Sequence, residues 1–275
     1  VGEKLGLIAG SGCLPFEVAA AARERGVELA IVAIEGNTDP RIEGVGAQGF
    51  TWVAPGELGR LIEFFKAAAV PEVMLAGAVS KREILRHPER LRPDARALAL
   101  LARVPLQGDD ALLRAIAGEI ESEGMKVVDS TRHLADRLTA PGVLTAVQPS
   151  AATLRDLAFG LRVARTLGVH DVGQSVVVKD GAVLALEAVE GTDATLERGA
   201  QFGRGACLVK AAKPRQDLRF DVPVIGPGTI ELAARGGLVA IGLEAGRTLI
   251  LERVAVLAQA ERAGIAVVGL QDSQP

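Results

Sequence analysis

Apolar runs in the first part of the chain come in short pieces, and helix-period segments separate them. Leu5–Ala9 is an apolar run that ends in the turn Gly10-Ser11-Gly12, and residues Phe16–Arg25 then follow a helical pattern. Glu28–Ile34 and Gly49–Val53 read as the next strands. After them, Leu58–Ala68 places Leu58, Leu61, Ile62 and Phe65 on one helical face. Val73–Ala76 is a further strand, running into Gly77. Strands that alternate with helices cannot pair as hairpins, so they predict a parallel sheet covered by helices on both faces. The expected fold class is α/β: an N-terminal, parallel-sheet, Rossmann-like domain followed by a C-terminal α/β domain with a mixed sheet.

The mixed character of the second half comes from one hairpin. Gln174–Val178 and Ala182–Leu186 are β runs joined through Asp180-Gly181, a strong hairpin turn. A helix over Ala151–Leu167 precedes it. Helical patterns over Thr192–Arg204, Ile230–Arg235 and Val254–Ala263 then alternate with strands at Cys207–Lys210, Leu238–Leu243, Leu249–Ile250 and Ile265–Leu270. The proline-punctuated stretch Ala140–Pro149 has neither period. It gives the expected division into residues 1–145 and 146–275. A length of 275 residues, 49% of them hydrophobic, is ample for two cores.

Composition excludes several classes. A net charge of -3 argues against binding nucleic acid through a basic surface. Two cysteines, Cys13 and Cys207, are too far apart in sequence for a metal-ligand spacing and read as core or near-core thiols in a reducing cytoplasm. No apolar run reaches the roughly 20 residues that span a bilayer. The first residues enter a strand pattern directly rather than a secretory leader.

Gly10 and Gly12, with Glu35 downstream, invite a dinucleotide-binding reading, but Pro15 occupies the place of the third glycine. The amides of this turn can still hold a phosphate or a sugar hydroxyl. Gly77, with Ser80 and Lys81 just beyond it, is a second strand-end turn of the kind that carries ligand contacts. Asp109 and Asp110 precede a helix over Ala111–Glu123, where a cap and a ligand contact compete as explanations. His133 has no metal-ligating company and reads as structural.

The densest polar stretch is Lys210–Ile230. It follows a strand and precedes a helix, and it holds Lys210, Lys213, Arg215 and Arg219 with Asp217 and Asp221. Gln174, Glu190, Thr192, Asp193, Gln216 and Thr229 also fall at strand ends or in turns. Glu187 and Glu190 are odd residues to set beside a buried strand without a partner. Carboxylates, cations and glycine turns together suit a phosphate ester and a hard metal, Mg²⁺ or Mn²⁺ rather than zinc, since no His/Cys set exists. The reaction class is attack of water on phosphorus. No nucleophile elbow, Walker loop or zinc-protease motif is present.

Two segments carry a family resemblance: Q-S-V-V-V-K-D-G-A-V-L-A-L-E-A-V-E-G-T-D at Gln174–Asp193 and K-P-R-Q-D-L-R-F-D-V-P-V-I-G-P-G-T-I at Lys213–Ile230. They resemble the UDP-2,3-diacylglucosamine pyrophosphatases of lipid A biosynthesis, in the form unrelated to calcineurin-like phosphoesterases. The opening G-L-I-A-G-S-G and the Q-G-D-D segment fit as well, with Ser11 where glycine is expected. The resemblance implies a two-domain, Mg²⁺-dependent enzyme. It would convert UDP-2,3-diacylglucosamine to 2,3-diacylglucosamine 1-phosphate (lipid X) and UMP, by water attack at the phosphorus nearer the sugar.

It maps the family's essential aspartate onto Asp221, helped by Asp217 in catalysis and by Glu190 at the metal. Gly10, Gly12, Gly77, Asp109, Gln174, Thr192, Lys213, Gln216, Arg219 and Thr229 become substrate-binding candidates. It also implies a homodimer and a cytoplasmic enzyme in transient contact with the inner membrane surface. Two other readings remain beside it: a nucleotide-dependent oxidoreductase, resting on Gly10, Gly12 and Glu35, and a non-catalytic carrier of a lipid or sugar nucleotide.

Overall fold

A computed structural model describes residues 2–79, 87–103, 109–214, 217, 219 and 222–271. The chain divides into two compact units: Val1–Ala135 with Asp217–Asp221, and Asp136–Gln216 with Val222–Pro275.

The first unit is built on five parallel strands: β1 (Lys4–Ala9), β2 (Glu28–Ile34), β3 (Gly49–Val53), β4 (Glu72–Ala76) and β5 (Lys126–Val128). Their order in the sheet is β3-β2-β1-β4-β5. The chain therefore moves outward in one direction from β1 to β3, then returns to the other side of β1. This is the strand order of the Rossmann-like class, and it opens a switch point between the ends of β1 and β4. The helix Leu58–Ala67 buries Leu58, Leu61, Ile62 and Phe65. They join Val32, Val73, Ile120 and Val127 in one core.

The second unit carries a six-stranded sheet. Its strands are β6 (Gly142–Val143), β7 (Ser175–Lys179), β8 (Ala182–Leu186), β9 (Cys207–Lys210), β11 (Ala240–Glu244) and β13 (Ala266–Leu270), in the order β6-β13-β11-β9-β7-β8. β9, β11 and β13 are parallel, while β7 runs antiparallel to both β8 and β9. The sheet is mixed, as the hairpin signal requires. A separate pair joins β10 (Val224–Ile225) to β12 (Leu249–Ile250).

Both faces of the large sheet are covered. Val176, Val178 and Val209 face Leu157, Leu161 and Ala164 of the helix Ala151–Val169. Val177, Leu208 and Ile241 belong to the opposite core, with Leu196 and Ile230. Burial on two sides explains why these strands read as continuous apolar runs without alternation.

The division falls at 135/136, ahead of the expected 145/146. The stretch between belongs to the second unit by its hydrogen bonds. Thr139 N–H donates to Thr248 O at 2.9 Å and Leu144 N–H to Val267 O at 2.8 Å. β6 pairs antiparallel with β13 through Val143 and Val268. β6 and β10 are two residues each and lie in proline-punctuated stretches, so they were not legible as strands. Cys207 is buried, and burial pushes its thiol up to about 12, whereas Cys13 is exposed rather than near-core. His133 is buried, as a structural histidine should be, and its Nε2 has no hydrogen-bond partner among the described residues.

Two helices approach the large sheet through glycine. A Cβ at Gly160 would sit 2.6 Å from Val209 Cγ2, and one at Gly199 would sit 2.6 Å from Val177 Cβ. Gly160→Val should therefore push the helix Ala151–Val169 off the sheet and destabilise the protein by about 1–3 kcal/mol. Urea unfolding should show a lower midpoint at an unchanged slope.

Candidate functional site

In the first unit the polar features gather at the switch point. Ala9 and Ala76 are register partners in β1 and β4, so the turns that follow them emerge side by side. Gly10 N–H donates to Ala76 O at 2.7 Å, and Ser11 N–H to Ala78 O at 2.8 Å. A Cβ on Gly77 would lie 2.4 Å from Ser11 O, and one on Gly10 would lie 2.7 Å from Ala78 O. These two glycines let two backbone turns cross in contact. That accounts for them without a dinucleotide, whatever else the turn holds. Gly12 adopts φ +87, a conformation that favours glycine, and a Cβ there would meet nothing within 4 Å. Asp109 falls within the helix Asp109–Ser122 rather than before it.

In the second unit four side chains from four chain segments form a buried polar cluster. Ser175 opens β7, Glu187 follows β8, Thr192 opens the helix Thr192–Ala200, and Lys210 closes β9. Ser175 and Lys210 are register partners across β7 and β9. Lys210 Nζ donates to Thr192 Oγ1 at 2.9 Å; Ser175 Oγ lies 3.1 Å and Glu187 Oε2 3.2 Å from the same oxygen. All but Thr192 are buried, Lys210 at 6% exposure and Glu187 at 8%. Beside them, Gln174 O accepts from Ala211 N–H at 2.9 Å. The cluster lies at the carboxyl end of β9, where parallel strands usually present ligand-binding groups.

The path leaving β9 is fixed by a buried carboxylate that the sequence did not single out. Glu244, 2% exposed, ends β11. Its Oε2 accepts from Ala212 N–H at 2.7 Å, and its Oε1 from Arg165 Nη2 at 2.7 Å. A backbone amide and a guanidinium therefore pin the first turn of the long loop.

Beyond that turn the described charges of the loop, Lys213, Asp217 and Arg219, are already paired. Lys213 Nζ meets Asp171 Oδ1 at 2.5 Å. Asp217 holds Arg219 through two oxygens, with Nη2–Oδ2 at 2.7 Å and Nε–Oδ1 at 3.0 Å, and Arg219 also reaches Glu121 at 3.3 Å. The Arg219 guanidinium keeps the Asp217 carboxyl below the usual carboxylate range. Glu190 binds Arg198 at 2.6 Å. Burial pushes its carboxyl up, but its own backbone amide and Arg198 outweigh that and leave it lowered. Thr229 is buried in the first turn of the helix Pro227–Gly236, whose start at Gly226 no side chain caps. Gln216 and Asp221 lie outside the described residues, as do Ser80, Lys81 and the side chain of Asp109.

The structure thus joins Thr192 to Ser175, Glu187 and Lys210, and joins Arg219 to Asp217. Glu190 and Lys213 sit in ion pairs of their own. Among the described residues no group of three or more His, Cys, Asp or Glu gathers to hold a metal ion. Ser175 was missed because a serine at a strand start has no signal of its own.

A family model described as the LpxI N-terminal domain matches residues 4–137, and one described as the LpxI C-terminal domain matches residues 140–268. The chain is 38% identical over 285 aligned positions to the UDP-2,3-diacylglucosamine pyrophosphatase LpxI of Caulobacter vibrioides, covering 99% of each. Among solved structures, the biotin carboxylase subunit of pyruvate carboxylase matches 64% of this chain at 15% identity with a TM-score of 0.25. The chain spans only 35% of that protein, and the likeness carries no argument. With both family domains matched in order and a relative aligned end to end, the chain belongs to the LpxI family.

Proposed function

We propose that the protein hydrolyses the diphosphate of UDP-2,3-diacylglucosamine in lipid A biosynthesis, giving 2,3-diacylglucosamine 1-phosphate (lipid X) and UMP. The observation that carries this is the 38% identity over 99% of the chain to a relative of that name. Water adds its oxygen to the phosphorus nearer the sugar. The bond from that phosphorus to the bridging oxygen breaks, and UMP leaves with that oxygen. One proton of the water goes to a carboxylate.

Asp221, in the segment Arg219–Pro223, is the residue assigned to activate water or hold metal. Asp217 assists it, through the ion pair with Arg219 rather than as a base. A carboxyl whose proton affinity a guanidinium has lowered takes a proton poorly and keeps its charge well. Lys213, Gln216 and Arg219 hold the diphosphate. Gly10, Gly12, Gly77, Asp109, Gln174, Thr192 and Thr229 contact the rest of the substrate.

Mg²⁺, with Mn²⁺ as a substitute, belongs to the same reading. It is usually held by one or two carboxylates together with substrate phosphates, rather than by an all-protein cage. The carboxylates assigned to it in this reading are Asp221 and, once released from Arg198, Glu190. When bound, the ion would neutralise charge developing on the phosphoryl oxygens.

Among the described residues no helix is long and apolar enough to cross a membrane. The substrate's acyl chains sit in a bilayer, so the reading includes transient contact with the inner membrane surface from the cytoplasm. A homodimer is part of it too.

Three outcomes test it. UMP should be released from UDP-2,3-diacylglucosamine, and a chelator should stop the release. Asp221→Ala should lower kcat by on the order of 10²–10⁴-fold, the usual contribution of a general base; wild-type turnover in that variant would remove Asp221 from the mechanism.

The third outcome concerns Asp217 and pH. The wild-type carboxyl should titrate below the usual carboxylate range by carbon NMR, and Arg219→Gln should raise it. A lowered folded value adds stability above the unfolded value that is lost as pH falls through the folded one, and Arg219→Gln should remove that increment. The acid limb of kcat should stay where it is in this variant if Asp221 is the base. A limb that moved with Asp217 would reassign the role.

A further inference from the structure

The helix Ala151–Val169 packs over β7 and β9 and leaves β8, the last strand of the sheet, largely uncovered on that side. Val183 and Leu186 of β8 are register partners of Val178 and Val176, which face this helix, yet both are exposed. A groove of about 310 Å³ runs between helix and strand, lined by Arg162, Val163, Thr166, Leu167, His170 and Leu186. The helix has an outer stripe beside this groove. Its inner face is Asp156, Leu157, Gly160, Leu161, Ala164 and Gly168. At about 100° per residue the opposite face carries Arg155, Arg162, Thr166 and Val169, all exposed, with half-buried Phe159 on the flank. The Arg162 guanidinium lies over the Phe159 ring, 5.8 Å from its centre.

The charges of this surface have one sign. Arg162 donates to Ala158 O of its own helix, and among the described residues neither Arg155 nor Arg162 meets a carboxylate. The helix has one carboxylate, Asp156, which is buried and accepts from the N–H groups of Asp180 and Gly181 at 2.8 and 2.7 Å. Those bonds keep the exposed Asp180 beside Asp156, about 9 Å of helix before Arg162. Asp171, next to His170, is paired with Lys213. Aliphatic side chains among unpaired cations match a leaflet that offers fixed negative charge above an apolar interior. A second copy fits poorly, because a cationic surface meeting itself across a two-fold axis brings like charges together.

We infer that the outer stripe of the helix Ala151–Val169, with the groove beside β8, is the surface by which the protein docks on an anionic bilayer. Arg155 and Arg162 meet headgroup phosphates, and Val169, Val183 and Leu186 enter the boundary with the acyl chains. The inference deepens, and rests on, the reading of the protein as a hydrolase of an acylated substrate.

Sedimentation of the full chain with vesicles tests it. The wild type should bind phosphatidylglycerol vesicles, bind phosphatidylcholine vesicles far less, and come off the former as salt is raised. Arg155→Gln combined with Arg162→Gln should weaken binding about 30-fold, about 5-fold for each guanidinium. Val169→Glu, at a position 64% exposed, should weaken it as well. The same variants should release UMP at the wild-type rate from substrate dispersed in detergent. From substrate held in phosphatidylglycerol vesicles they should show a raised KM at unchanged kcat.

The inference is overturned if the wild type does not sediment with phosphatidylglycerol vesicles, or if the arginine double variant and Val169→Glu bind them as the wild type does. It is overturned equally if these substitutions turn a dimer into a monomer and leave vesicle binding unchanged, since the face is then a contact between copies. Vesicle binding that depends on Arg155 and Arg162, in a protein that releases no UMP, supports the docking surface and sinks the hydrolase reading. Turnover of detergent-dispersed substrate without vesicle binding does the reverse.

Discussion

Antiparallel pairing of β7 with β9 decides where the second unit can place polar groups. In a fully parallel sheet, the start of one strand and the end of its neighbour lie at opposite edges. Here the reversal brings Ser175, the first residue of β7, level with Lys210, the last residue of β9. The hairpin then returns β8 to the same edge, where Glu187 follows it, and Glu187 N–H donates to Ser175 O at 3.0 Å. Thr192, five positions on, closes the group by opening a helix. Four polar side chains meet because one strand is inverted; turned the other way, β7 would bring Lys179 to that edge instead.

The two units solve one problem by different means. Each must present chemistry at the carboxyl ends of parallel strands, where backbone groups run out of partners. The first unit does it with almost no side chain. Gly10 and Gly77 let two turns touch, and their amides and carbonyls satisfy each other. The second unit does it with buried charge. Glu244 takes an amide of the departing chain and a guanidinium together, so the loop after β9 leaves along one path. Removing one partner of such a buried pair typically costs about 3–5 kcal/mol, while an exposed ion pair contributes about 1 kcal/mol or less. The first turn of the loop is therefore the more firmly held, and the half-buried pairs farther along it are a weaker constraint.

Most of the fold was legible because its strands are apolar and its helices amphipathic. β2, β3, β8, β9 and β12 fall on the expected residues, and the hairpin at Asp180-Gly181 foretold the mixed sheet. What failed to show were elements defined only by their partners. β6 exists because Gly142 and Val143 meet β13, and β10 because Val224 and Ile225 meet β12. The site was legible in part for the same reason. Glu187 was visibly out of place beside a strand, but its partner Thr192 comes from a helix start. Lys210 read as the first cation of a loop, since nothing in the sequence reveals that Ser175 covers it. Gly10 carried a ligand signal, and its close contact with Gly77 is a second reason for a glycine there.

Charge density in the loop after β9 is a poor guide to which residues meet phosphate. Lys213 with Asp171, and Arg219 with Asp217, are close to neutral as pairs, and a phosphate oxygen arriving there competes with a carboxylate already in place. Exchange of one anionic partner for another yields only the difference between two similar interactions. A cation with no carboxylate partner, held away from water, yields far more of its Coulomb energy to an incoming anion, because the surrounding dielectric is low and no partner is displaced.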